Sequence, residues 1–84
     1  MTTNAKDEVL AAAERDGWHL RDDCISSVEL SHPTGIDLVV EFTRWGGRVS
    51  RAISYDPYFK LTPADRDKLA RLLALLADPD NSSA

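Results

Sequence analysis

IDLVVEFTRWGGRVSRAISY, residues 36–55, decides the architecture of this chain. Ile36, Leu38, Val40 and Phe42 alternate with Asp37, Val39, Glu41 and Thr43, which is the period of two of a half-buried strand. Gly46 and Gly47 accept the positive φ of a primed two-residue turn, so residues 48–55 should return as the neighbouring strand. In that register Arg44 faces Val49, Phe42 faces Arg51, Val40 faces Ile53 and Leu38 faces Tyr55. The outer side of the hairpin then carries Val39, Trp45, Arg48, Ser50, Ala52 and Ser54.

Upstream, HPTG at 32–35 has proline and glycine where a type I turn with a glycine bulge needs them. A reversal there sets Leu30 opposite Leu38 and Val28 opposite Val40. The two hairpins together form an antiparallel meander of strands at about 18–31, 36–44 and 48–55. Asp22 and Asp23 interrupt the first of these as turn or bulge residues, leaving room for a short extra strand at 18–21.

Helical spacing frames the meander. Asn4 is an N-cap, Asp7 and Glu8 stand in the first turn, and Gly17 is a left-handed stop. This predicts a helix over about 4–16 with Ala5, Val9, Ala12 and Ala13 on one face. Thr62 as cap, Pro63 at the first position and Asp65 at the third predict a second helix over about 63–77. Its stripe is Leu69, Leu72, Leu73 and Leu76, with Leu75 off the stripe. DPYFKLTP at 56–63 reads as a loop carrying apolar side chains, and 78–84 as a frayed tail. The expectation is one α+β domain in α-β-β-β-α order, with both helices on one face of the sheet.

The double-stranded RNA-binding module shares that element order. Its affinity comes from lysines at the start of its last helix. Here Asp65 and Asp67 occupy that region, so the resemblance extends to topology and not to activity.

Composition narrows the functional classes. The chain has 84 residues, 43% of them hydrophobic and 29% charged, with a formal net charge of −4. That is the make-up of a globular domain without general attraction to phosphate backbones. One cysteine excludes an intrachain disulfide and suits a reducing compartment. The opening segment is charged and lacks an apolar run of leader length, so the expected location is the cytoplasm. Abundant alanine, arginine over lysine and aspartate over glutamate suggest a bacterial or phage origin.

Motifs for chemistry are weak. His19, Asp22, Asp23, Cys24 and His32 are ligand types without metal-site spacing, and the calcium-like start at Asp78 lacks its glycine and distal glutamate. No nucleophile elbow or phosphate loop is present, and Cys24 beside a histidine is the sole nucleophilic pairing. No enzyme, metal or cofactor is expected. What remains is surface. Val39, Trp45, Arg48 and Arg51 form one expected contact patch for a protein partner or a second copy, and Leu75 a second. Small neighbours around a large aromatic are a common contact composition. The competing readings are a cation–π pair of Trp45 and Arg48, which accounts for the whole tip, and an outer sheet face that is simply solvated. The expected function is a small interaction module, such as a regulator or inhibitor that binds a protein or homodimerises. The alternative is nucleic-acid binding through Arg44, Arg48 and Arg51.

Overall fold

A computed structural model describes residues 4–44, 47–55 and 58–78. Along the chain run α1 (Ala5–Arg15), β1 (His19–Cys24), β2 (Ser27–Ser31), β3 (Asp37–Phe42), β4 (Val49–Tyr55), β5 (Phe59–Leu61) and α2 (Lys68–Ala77). The strands form one antiparallel sheet in the order β1-β2-β3-β4-β5, so each pairs with its sequence neighbour. The class is α+β, with five strands where three, with room for a short fourth at 18–21, were expected.

Both extra strands come from segments with weak period. Residues 18–31 are two strands, because Ile25 and Ser26 turn the chain and Cys24 pairs with Ser27. β1 is exposed along its whole length and bulges at Arg21, so its side chains show no inward alternation. β5 lies in the segment read as a loop, with Leu61 opposite Ala52 and Phe59 opposite Ser54. With five strands, the topology departs from that of the double-stranded RNA-binding module.

α1 is set by its ends. The Asp7 N–H donates to the Asn4 side chain at 2.8 Å, and Gly17 takes φ +86° just past the helix, in the left-handed region that glycine adopts without strain. Ala5, Val9, Ala12 and Ala13 are buried. They join Val28, Leu30, Leu38, Val40, Phe42, Leu61, Leu72, Leu75 and Leu76 in a single core between the sheet and the two helices.

α2 starts five residues later than its capping signals suggest. Those signals close a separate turn: Asp65 accepts from the Thr62 N–H at 2.6 Å and from its hydroxyl at 3.1 Å, while the Asp65 N–H donates to the Thr62 carbonyl at 3.0 Å. Asp67 then adopts φ 54°, and the helix proceeds from Lys68. The buried stripe also differs from the one expected. Leu72, Leu75 and Leu76 are buried, whereas Leu69 and Leu73 are only partly so. Leu75 has no exposed surface, and the second contact patch expected there does not exist.

Register on β2–β3 follows the expected turn, with Leu30 opposite Leu38 and Val28 opposite Val40. On β3–β4 it does not. Val40 pairs with Ala52 and Leu38 with Ser54, one residue from the expected partners. The cause lies near the tip. The Thr43 N–H donates to the Arg48 carbonyl at 2.8 Å, so the connection spans residues 44–47 and is longer than two glycines. Ser50 is then the additional residue of a bulge between the Glu41–Arg51 and Phe42–Val49 pairs. A shift of one residue exchanges the faces of a strand. Ala52 and Ser54 therefore point into the core, while Arg51, Ile53 and Tyr55 point away from it. Small inward residues let α2 approach β4 closely, and its leucines fill the space that large strand side chains would have taken.

Candidate interaction surface on the open sheet face

Both helices lie on one side of the sheet, and among the described residues no element covers the other. Strand pairing arranges that open side in three rows. One row is His19, Ser31, Asp37 and Tyr55. The middle row is Asp22, Glu29, Val39, Ile53 and Lys60. The third is Cys24, Ser27, Glu41 and Arg51.

Val39 and Ile53 are a directly opposed pair at the centre of this face, each half-buried by its neighbours. Tyr55 is 67% exposed and Tyr58 61% exposed, with their rings 6.2 Å apart between centroids. Two exposed aromatic rings beside two branched aliphatics make an apolar band along the β4 side of the sheet. Such rings carry large contact area at small entropic cost, which is why tyrosine is enriched at interfaces.

Charge divides the face. Asp22, Glu29, Asp37 and Glu41 occupy β1 to β3, while Arg51 and Lys60 occupy β4 and β5. Arg51 Nε lies 3.4 Å from Glu41 across the boundary, with both side chains about half exposed. That pair is worth little to stability in water, and it joins β3 to β4 on the open face.

Of the residues expected from sequence, Val39 and Arg51 lie on this face. Arg44 and Arg48 are exposed at the end of the β3–β4 hairpin, where the Arg48 N–H donates to the Thr43 hydroxyl at 3.0 Å. Trp45 and Gly46 lie outside the described residues, so the expected Trp45 contact has no structural description. Ala52 and Ser54, expected on the outer side, are in the core. Ile53, Tyr55, Tyr58 and Lys60 were not anticipated. The signal for them was the small Ala52 and Ser54 alternating with Ile53 and Tyr55, beneath a helix rich in leucine.

Several other polar groups are engaged structurally. Lys6 reaches from α1 to Asp23 at 2.7 Å and donates to the Cys24 carbonyl at 2.7 Å, tying the end of β1 to the helix layer. His32 bonds the Thr34 hydroxyl at 2.8 Å inside its turn and meets the Trp18 ring edge-on at 5.0 Å. Among the described residues no group of three or more His, Cys, Asp or Glu side chains is placed to hold a metal ion. No described helix is long and apolar enough to cross a membrane. A cleft of about 480 Å³ lies between the starts of the two helices and the β3–β4 hairpin, lined by Glu8, Arg48, Val49, Asp67, Lys68 and Leu69 among others. Its charges are mixed, and the Lys68 ammonium is already bound to the carbonyls of Asp65 at 2.9 Å and Pro63 at 3.1 Å.

No family model, curated protein or solved structure matches this chain. The functional reading therefore rests on the geometry of the open face.

Proposed function

We propose that this protein is a protein-interaction module that acts by docking its open sheet face, and that it does so without chemistry of its own. One observation carries the reading: Val39, Ile53, Tyr55 and Tyr58 form a band on the side of the sheet that neither helix covers. A five-stranded sheet with one apolar face under helices needs nothing on its other face for stability, and a fully polar outer face is the ordinary solution. Large apolar side chains placed there add solvation cost unless something covers them. A small regulator that acts by occupying a protein surface fits this design.

Immobilised wild-type protein should retain a protein, a further copy included, and an Ile53→Glu variant should not. Substitution at the exposed Glu14 on α1 is the control and should leave retention unchanged. Ile53→Glu retaining everything the wild type retains would sink the reading. Low-salt retention of duplex or single-stranded nucleic acid, lost when Arg44, Arg48 and Arg51 become alanine, would move the assignment to the other class.

A further inference from the structure

We infer that the occupant of the open face is a second copy of this chain, packed sheet on sheet about a two-fold axis that runs parallel to the strands between β3 and β4. The inference rests on the interaction reading above and adds the partner and its geometry.

Two sheets stack about 10 Å apart, with strands either nearly aligned or crossed. A face-to-face dimer with aligned strands has its two-fold axis in the plane between the sheets, either along the strands or across them. The two choices differ in which charges meet. An axis across the strands lays β2 on β2 and β3 on β3 with their ends exchanged. Glu29 then meets Glu29, and Asp37 meets Glu41, so like charges are pressed together away from water. An axis along the strands keeps each row at its height and exchanges left for right. β3 then lies over β4 of the second copy, and β2 over its β5.

Row by row, that second arrangement is complementary. In the middle row Val39 meets Ile53 of the second copy, and Glu29 meets its Lys60. In the third row Glu41 meets Arg51, so the pair already present at 3.4 Å in each chain becomes a ring of four alternating charges. In the first row Asp37 meets Tyr55, whose hydroxyl can donate to the carboxylate. Every contact occurs twice, as an isologous interface requires. The division of charge across one face, acidic on β1 to β3 and basic on β4 and β5, supplies this fit.

Only β2 to β5 overlap in this arrangement. Four strands at about 4.8 Å spacing and six residues at about 3.3 Å give a contact of roughly 19 by 20 Å. That is below the size of stable specific interfaces, so the expected dimer is a weak one, forming between the micromolar and millimolar range.

Glu29 and Lys60 make the test decisive. They share a row but stand three strands apart, about 14 Å, so they cannot pair within one chain. Light scattering and sedimentation from micromolar to millimolar chain should show the wild type passing from monomer to dimer. Glu29→Lys and Lys60→Glu should each weaken dimerisation tenfold or more, because like charges then face each other. An equimolar mixture of the two variants should dimerise as the wild type does, since each mixed pair again carries opposite charges at both positions. The double variant should also recover. Both residues are exposed, and unchanged circular dichroism is the check that each variant folds.

A wild type that stays monomeric throughout overturns self-pairing. So does a dimer that the single variants leave intact, or one that mixing fails to restore. The interaction reading is separable: a monomeric wild type that still captures another protein through Ile53 loses the self-pairing and keeps the docking face. A monomer that captures nothing loses both.

Discussion

The indole Nε1 of Trp18 donates to the main-chain carbonyl of Leu76 at 3.0 Å, joining residues 58 positions apart. Carbonyls in the last turn of a helix have no partner within it, and this one is buried, so the indole satisfies a group that water cannot reach. The same bond locks the end of α2 to the segment that follows α1. Trp18→Phe keeps most of the ring and removes the donor. It should cost about 1–3 kcal/mol, read as a lower urea midpoint with an unchanged slope.

Leu75 separates the role expected from sequence from the one found. As an exposed contact it would affect association and leave stability alone. It is fully buried. Leu75→Ala should therefore lower stability by about 2–5 kcal/mol, enough to unfold much of a domain this small. A variant as stable as wild type in chemical denaturation would contradict the packing of α2.

The bulge at Ser50 is tested by neighbours of opposite orientation. Ala52 is 1% exposed under α2, whereas Ile53 points to the open face. Ala52→Asp places an unpaired charge in the core and should cost about 3–5 kcal/mol. Ile53→Asp should cost about 1 kcal/mol or less and act on association instead. Thermal denaturation of the two variants side by side reads the register of β4, and the opposite ranking would restore the unbulged hairpin.

Asp65 is the titrating group of the turn before α2. The Thr62 N–H, then the Thr62 hydroxyl and the nearby Arg71 and Lys68, hold its carboxyl below the usual carboxylate range, against an opposing contribution from partial burial. A depressed folded pKa adds stability above the unfolded value of about 3.9, and that stability is lost as pH falls through the folded value beneath it. Asp65→Asn should therefore be less stable than wild type at neutral pH, and the two should converge in acid below the folded value. Parallel denaturation curves across that range, with a constant gap, would contradict the ionic role.

Local signals read correctly wherever one short-range interaction determined the outcome. Asn4 and Gly17 bound α1 because a cap and a left-handed stop act within a few residues. HPTG set the β2–β3 register because its turn leaves little freedom between the strands. The short extra strand for which 18–21 left room corresponds to part of β1. Its turn was expected at Asp22 and Asp23 rather than at Ile25 and Ser26, because the latter two are not ordinary turn residues and β1 buries nothing. Thr62 and Asp65 did form the bonds of a helix start, yet they closed an isolated turn, since Asp67 in the left-handed region separates it from α2.

Amino-acid order alone was enough to specify an antiparallel meander flanked by two helices, because periods of two and of 3.6 are written locally along the chain. Which side of β4 faces inward was decided only by the tertiary structure. There the leucines of α2 fill the space over Ala52 and Ser54, and the bulge at Ser50 accommodates that choice at small local cost. One inserted residue exchanges every side chain beyond it. Ile53 and Tyr55 thus became surface through the packing of a helix distant in sequence, which no local pattern records.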